Sequence, residues 1–189
     1  IESKLKSQEL FRGSFLHAFR DTVALPDGTQ ASREYVIHPG AVMIVPLLEV
    51  PGQPLQLVME RQFRYPVQQV MLEFPAGKLD PNESTLECAQ RELFEETGYR
   101  AKQWAKAGVM HPVISYSTEF IEIWFAKDLS LGERQLDPGE FLEVITQTPE
   151  ALKQACLKGE VTDGKTLTGM FWLQNYLSGQ HELTWVNAA

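Results

Sequence analysis

Gly77-Lys78-Leu79-Asp80-Pro81-Asn82-Glu83-Ser84-Thr85-Leu86-Glu87-Cys88-Ala89-Gln90-Arg91-Glu92-Leu93-Phe94-Glu95-Glu96-Thr97-Gly98-Tyr99 holds the densest chemistry of the chain. The pattern predicts a helix over 81–97, stopped by Gly98. On that helix Glu92 lies three residues before Glu95 and four before Glu96, so the three carboxylates share nearly one face. Like charges at this spacing cost an isolated helix a few tenths of a kcal/mol per pair, and the C-terminal end of a helix disfavours anions. Stability alone therefore does not favour this arrangement. Converging hard oxygen ligands are what Mg²⁺ or Mn²⁺ takes. Leu86, Ala89 and Leu93 lie on the other side and are expected to pack on a sheet. A solvated acidic face would carry the same residues, and spacing alone leaves both readings open.

Around this helix the chain reads mainly as strands. Phe15 to Leu25 is a candidate strand closed by Pro26-Asp27-Gly28, and Tyr35 to His38 is a short one closed by Pro39-Gly40. Ala41 to Leu48 is almost unbroken apolar sequence, as in a strand buried on both faces. Leu55 to Met59, Glu119 to Ala126 and Phe141 to Thr146 are further strands. Pro149 to Lys158 and Lys165 to Leu177 read as two closing helices. The order predicts a mixed α/β domain over 41–185. Residues 1–40 are expected to form a small separate β subdomain.

The chain has 189 residues, 43% hydrophobic and 22% charged, which excludes disorder and a disulfide-built miniprotein. With Lys and Arg at 17 and Asp and Glu at 25, the net charge is −8. That balance argues against a nucleic-acid surface, whose affinity comes from cations on phosphates. It does not exclude a small phosphorylated substrate, because a bound divalent cation reverses the local sign. No run approaches a membrane span, and residues 1–6 contain no apolar signal core. With no initiator Met, the chain is expected to begin inside a longer one. Cys88 and Cys156 are too few for a disulfide framework, which points to a cytoplasmic protein with reduced thiols.

The acidic stretch resembles the Nudix box, on Gly77, Glu83, Arg91, Glu92, Leu93, Glu95, Glu96 and Gly98. Tyr99 stands where an aliphatic residue is usual. Leu93 fills an apolar place, and the other seven, as fixed identities, coincide by chance about once in 10⁸–10⁹ start positions. The resemblance implies an α/β/α sandwich around a mixed central sheet and Mg²⁺-dependent hydrolysis of a nucleoside diphosphate linked to another group, with Mn²⁺ as a possible substitute. It implies Glu92 and Glu96 as principal metal ligands and Glu95 as a further ligand or holder of a metal-bound water. The carbonyl of Ala76 joins them, and Glu83 and Arg91 support the helix and its loop.

Outside the box the chain resembles the ADP-ribose pyrophosphatase group, from about Arg33 to Gly179. Glu60-Arg61-Gln62-Phe63-Arg64-Tyr65-Pro66 is similar to a loop in which Arg64 would contact phosphate. Glu73-Phe74-Pro75-Ala76-Gly77-Lys78 is similar to the lead-in to the box, where Glu73 would be an extra metal or metal-water ligand. Gly139-Glu140-Phe141-Leu142-Glu143-Val144 resembles the segment that supplies a general base. Glu140 is the first candidate, with Asp137 and Glu143 as rivals. Glu119, after His111-Pro112, is a candidate substrate contact; Pro112 stands thirteen residues past Tyr99, where the group's marker proline stands about fifteen past. The expected substrate is ADP-ribose or a related nucleotide sugar, giving AMP and a sugar phosphate. The alternatives are another nucleoside diphosphate derivative such as GDP-mannose, or a Nudix-fold module that senses a nucleotide without turnover.

The group's N-terminal strands pack across a homodimer. Here residues 1–40 are expected to hold two short strands, a ribbon too small to stand alone, with Phe11, Phe15, Leu16 and Phe19 to bury. A second copy would supply the surface. Gly159 to Thr166 also satisfies the P-loop spacing, but its upstream segment reads helical where a P-loop needs a strand. A helix connection capped by Thr162 or Asp163 accounts for it.

Overall fold

The computed structural model describes residues 1–136 and 138–188. The chain forms two compact units, one of residues 1–40 with 111–120 and one of the remainder.

The first unit is an antiparallel meander of β1 (Ser3–Arg12), β2 (His17–Ala24) and β3 (Gln30–Val36). The sequence suggested two strands here; β1 is the third. Its mixture of Lys, Ser, Gln and Glu hides any alternation, and it is exposed along its whole length. Bulges between Lys4 and Lys6 and between Glu9 and Phe11 interrupt its register against β2. The turn after β2 is set by Gly28, with φ of 83°, and by Asp27, which accepts from the amide and hydroxyl of Thr29. Residues 111–120 join this unit through the backbone. Val36 N–H donates to Tyr116 O at 2.8 Å, and Thr118 N–H to Val36 O at 3.0 Å.

In the second unit a mixed sheet runs in the order β10-β5-β4-β9-β8-β11. These strands are Leu142–Gln147, Gln56–Arg64, Ala41–Leu48, Ile121–Leu131, Tyr99–Met110 and Val186–Asn187. β6 (Gln69–Glu73) pairs with β5, and β7 (Ala76–Lys78) pairs with β4. β4 and β9 are parallel. β4 is buried almost throughout because both its faces are covered. Met43, Val45 and Leu47 meet Leu152, Met170 and Leu173 of α2 (Pro149–Leu157) and α3 (Gly164–Leu177). Val42 and Ile44 meet Cys88, Ala89 and Leu93 of α1 (Thr85–Thr97). Helices on both faces of a mixed sheet make an α/β/α sandwich.

α1 begins four residues later than its pattern suggested. Ser84 caps it in a reciprocal box: its hydroxyl accepts from Glu87 N–H at 3.3 Å, and its own N–H donates to the Glu87 carboxylate at 2.8 Å. Asn82, at φ of 66°, stays in the loop. At the other end Gly98, at φ of 78°, donates to Phe94 O at 2.8 Å. The P-loop-like stretch connects α2 to α3, with Asp163 accepting from Thr166 N–H at 2.9 Å as the cap. Cys88 is buried, and both it and Cys156 are free thiols. Among the described residues no helix is long and apolar enough to cross a membrane.

Candidate active site

Strand β5 alternates its side chains, so Glu60, Gln62 and Arg64 share one face. The register places Glu60 directly opposite Glu73 of β6, and both side chains are buried. Arg64 grips Glu73 with a planar fork, Nε to Oε1 and Nη2 to Oε2, each at 2.7 Å. Lys165, from the first turn of α3, also bonds Glu73 and contacts Asp163 at 3.0 Å. Burial raises the Glu73 carboxyl, but the bonds from Arg64 and Lys165 outweigh it and hold it below the usual range.

The chain turns from β6 through Phe74 and Pro75 into β7. There the N–H of Ala76 donates to Glu96 at 3.0 Å. Glu96 thus ties the helix to the strand whose carbonyl the sequence offered as a ligand. Arg91 is the hub of the helix face. It pairs with Glu83 through Nε and Nη2, both at 2.8 Å, and through Nη1 with Glu92 at 2.8 Å and Glu95 at 3.0 Å. Its Nη2 also donates to Lys78 O at 3.1 Å, clamping the loop. The Arg91 bonds hold the Glu83 carboxyl down to about 2.

Glu140 lies just before β10 and accepts from Gln62 Nε2 at 3.4 Å. Its charge adds to the upward push on Glu60, Glu92 and Glu96. Its rival Glu143 stands opposite Arg61 in the strand register and pairs with it at 3.5 Å, on the other face of β5. Asp137 lies outside the described residues. Glu119 belongs to the first unit, 3.9 Å from the imidazole of His38.

Three of these carboxyls are pushed up. Burial, then the charge of Glu73, lifts Glu60 to about 8. Burial lifts Glu92 to about 7 against the pull of Arg91. Burial, then Glu60 and Glu92, lifts Glu96 well above the usual range. Both Glu60 oxygens are buried without a hydrogen-bond partner among the described residues. A divalent cation fits this donor set: hard oxygens, mutually repelling, that positive charge would satisfy. Among the described residues no three His, Cys, Asp or Glu side chains already close into a cage. Glu92 and Glu95 instead contact Arg91, and Glu73 contacts Arg64 and Lys165.

This electrostatics has a measurable sign. The folded protein holds protons on Glu60 and Glu92 where the unfolded chain, with carboxyls near 4.5, has released them. The penalty is absent below about pH 4.5 and complete above about pH 8, so stability falls as pH rises between them. In chelator, the melting temperature is expected to fall as pH rises from 5 to 8, at about 2–4 °C for each kcal/mol lost in a chain of this size. Saturating Mg²⁺ should remove most of the drop. A flat profile in chelator would contradict the assignment.

Sequence reasoning missed Glu60, Gln62 and Lys165. For Glu60 the signal was available: a lone carboxylate directly following the apolar run Leu57-Val58-Met59.

The NUDIX domain family matches residues 37–168, and the nucleoside diphosphate sugar hydrolase N-terminal domain family matches residues 2–36. The chain is similar to an ADP-ribose pyrophosphatase of Bacillus subtilis, 34% identical over 175 residues and 92% of each chain. It is also similar to a methanol dehydrogenase activator of Bacillus methanolicus, 34% identical over 177 residues and 92% of each chain. In fold it resembles a crystal structure of an ADP compounds hydrolase, with a TM-score of 0.83, 23% identity and 95% of each chain covered.

Proposed function

The chain belongs to the NUDIX domain family, and from that premise we propose that it hydrolyses the diphosphate bond of ADP-ribose or a related nucleotide sugar, giving AMP and a sugar phosphate. The observation that carries the reading is the bond from the Ala76 N–H to Glu96 of the helix face, three residues past the Glu73 that Arg64 grips. The B. subtilis relative, matched over nearly its whole length and named for ADP-ribose, supports the substrate.

A divalent cation would be held by Glu92, Glu96, Glu95, Glu73 and the carbonyl of Ala76. When bound, Mg²⁺ or Mn²⁺ supplies positive charge that offsets the diphosphate and makes water a stronger acid. The chain's own residues do the rest. Arg64, whose side chain is partly exposed, orients phosphate oxygens with its planar guanidinium. Glu140 takes the proton from the attacking water, steadied by Gln62. As the water oxygen bonds to phosphorus, one P–O bond of the bridge breaks and the bridging oxygen leaves with the other phosphate. Arg91 keeps Glu92 and Glu95 in place, and Glu119 contacts the substrate.

A panel of nucleotide sugars and other nucleoside diphosphate derivatives, assayed with Mg²⁺ and a phosphatase-coupled phosphate readout, tests this. ADP-ribose is expected to give the highest kcat/KM. Preference for GDP-mannose would move the function to the alternative substrate class, and tight binding without turnover would make the protein a sensor.

The protein acts as a cytoplasmic homodimer on a small molecule, not on nucleic acid or a membrane. The free thiols and the net charge of −8 support this setting. Leu5, Phe11 and Phe15 are each more than half exposed on the first unit, and a partner copy would bury them. Leu5→Glu with Phe11→Glu is expected to dissociate the dimer in sedimentation and raise KM severalfold. Residues this exposed tolerate a polar replacement within about 0.5 kcal/mol in the monomer. A double variant that stays dimeric with unchanged KM would remove this surface from the interface.

A further inference from the structure

Glu60 is the buried carboxylate to which the proposed mechanism gives no task. It lies within β5, is 0% exposed, and has neither oxygen bonded to any described residue. An apolar side chain would serve better here if packing were the only demand.

The surroundings leave Glu60 little beyond like charge. Glu73 stands opposite it across the β5–β6 ladder. Glu96 and Glu140 are close enough for each to repel it. The cations within reach, Arg64 and Lys165, both spend their hydrogen bonds on carboxylates other than Glu60. A fully buried, unbonded carboxylate facing other carboxylates calls for positive charge beyond that of Arg64 and Lys165, whose hydrogen bonds go elsewhere.

We propose that Glu60 is a further carboxylate of the divalent-cation site, extending it from the helix face of α1 onto strand β5. The inference rests on the cation-dependent reading of the site. It assigns the protein a ligand outside the acidic helix and its lead-in, one that strengthens cation binding before any nucleotide arrives.

The test uses the full chain without substrate. Mn²⁺ is titrated into wild type, Glu60→Gln and Glu96→Gln, with free Mn²⁺ read by electron paramagnetic resonance, and each protein is melted in chelator. Glu60→Gln is expected to weaken Mn²⁺ binding at least about tenfold or to remove one equivalent. In chelator above about pH 8 it should melt at or above the wild-type temperature, because it removes a buried charge. Wild-type affinity and stoichiometry in Glu60→Gln would overturn the assignment, whatever its melting temperature. Should that variant not fold, Glu60→Asp keeps the charge and withdraws it by one methylene: weakened Mn²⁺ binding supports the assignment and unchanged binding overturns it. Wild type that binds no Mn²⁺ would instead overturn the cation reading itself, so the two failures are distinguishable.

Discussion

Glu96→Gln is expected to lower kcat by about 10²- to 10⁴-fold at saturating Mg²⁺, the range seen when a charge-stabilising element is lost. The fold should survive. Glu96 is nearly fully buried, and its one resolved bond accepts the Ala76 N–H. A glutamine oxygen can accept the same bond, so the link between α1 and β7 is kept while the negative charge is lost. In chelator the variant should melt no lower than wild type, since a repelled buried carboxylate has gone. Steady-state kinetics beside thermal melts separate the two effects. Wild-type turnover would remove Glu96 from the cation site; an unfolded variant would show that the charge serves the fold.

Gly77→Ala is expected to lose about 10² in kcat/KM while changing stability by less than about 1 kcal/mol. A Cβ on Gly77 would come within 1.8 Å of Glu92 Oε1 and 2.4 Å of Oε2. What it meets is the tip of a flexible side chain, which can swing away at small cost to the fold. The cost falls on function, because Glu92 no longer points where the site needs it. Gly98→Ala is the opposite case. Gly98 has φ of +78°, and its Cβ would meet the carbonyl of Gly132 at 2.8 Å, backbone against backbone. That variant should lose about 1–3 kcal/mol of stability. Matched melts and kinetics on the pair test the distinction. Equal losses of stability in both would show that Gly77 is a folding residue.

The features read correctly from the sequence are those fixed by local periodicity. The acids of α1 recur at helical spacing and Gly98 ends the helix, so the shared acidic face and the stop were both visible. Its start was misplaced because Pro81 and Asn82 belong to the loop, although the Ser84-to-Glu87 capping pair was there to be read. β4 announces itself as an unbroken apolar run. β5 was cut short at Met59 because polar residues follow. The strand runs on to Arg64, held by β6 and β10, and its buried Glu60 was overlooked for the same reason. β8 escaped notice since Lys, Gln and Gly interrupt its alternation, with a register shift between Lys106 and Gly108. Glu140 could be nominated from its neighbours, but its place beside Gln62 depends on pairing across 78 residues. Lys165 was read as the start of the last helix and the end of the connection before it, and nothing local reveals that it reaches Glu73.

The backbone bonds between Val36 and residues 116–118 also set a timetable for synthesis. The meander leaves the ribosome before residues 111–120 do, and its third strand cannot gain those bonds until Thr118 has emerged. At about 5–20 residues per second, that is a wait on the order of 4–16 s, in which β4 through β8 are also being made. During that interval β3 has an edge with open N–H and C=O groups, which nascent chains of the same protein could pair with. That unit is thus completed only once the chain has been made as far as residue 118. Translation speed through the intervening stretch then decides how long that edge is available to a neighbour.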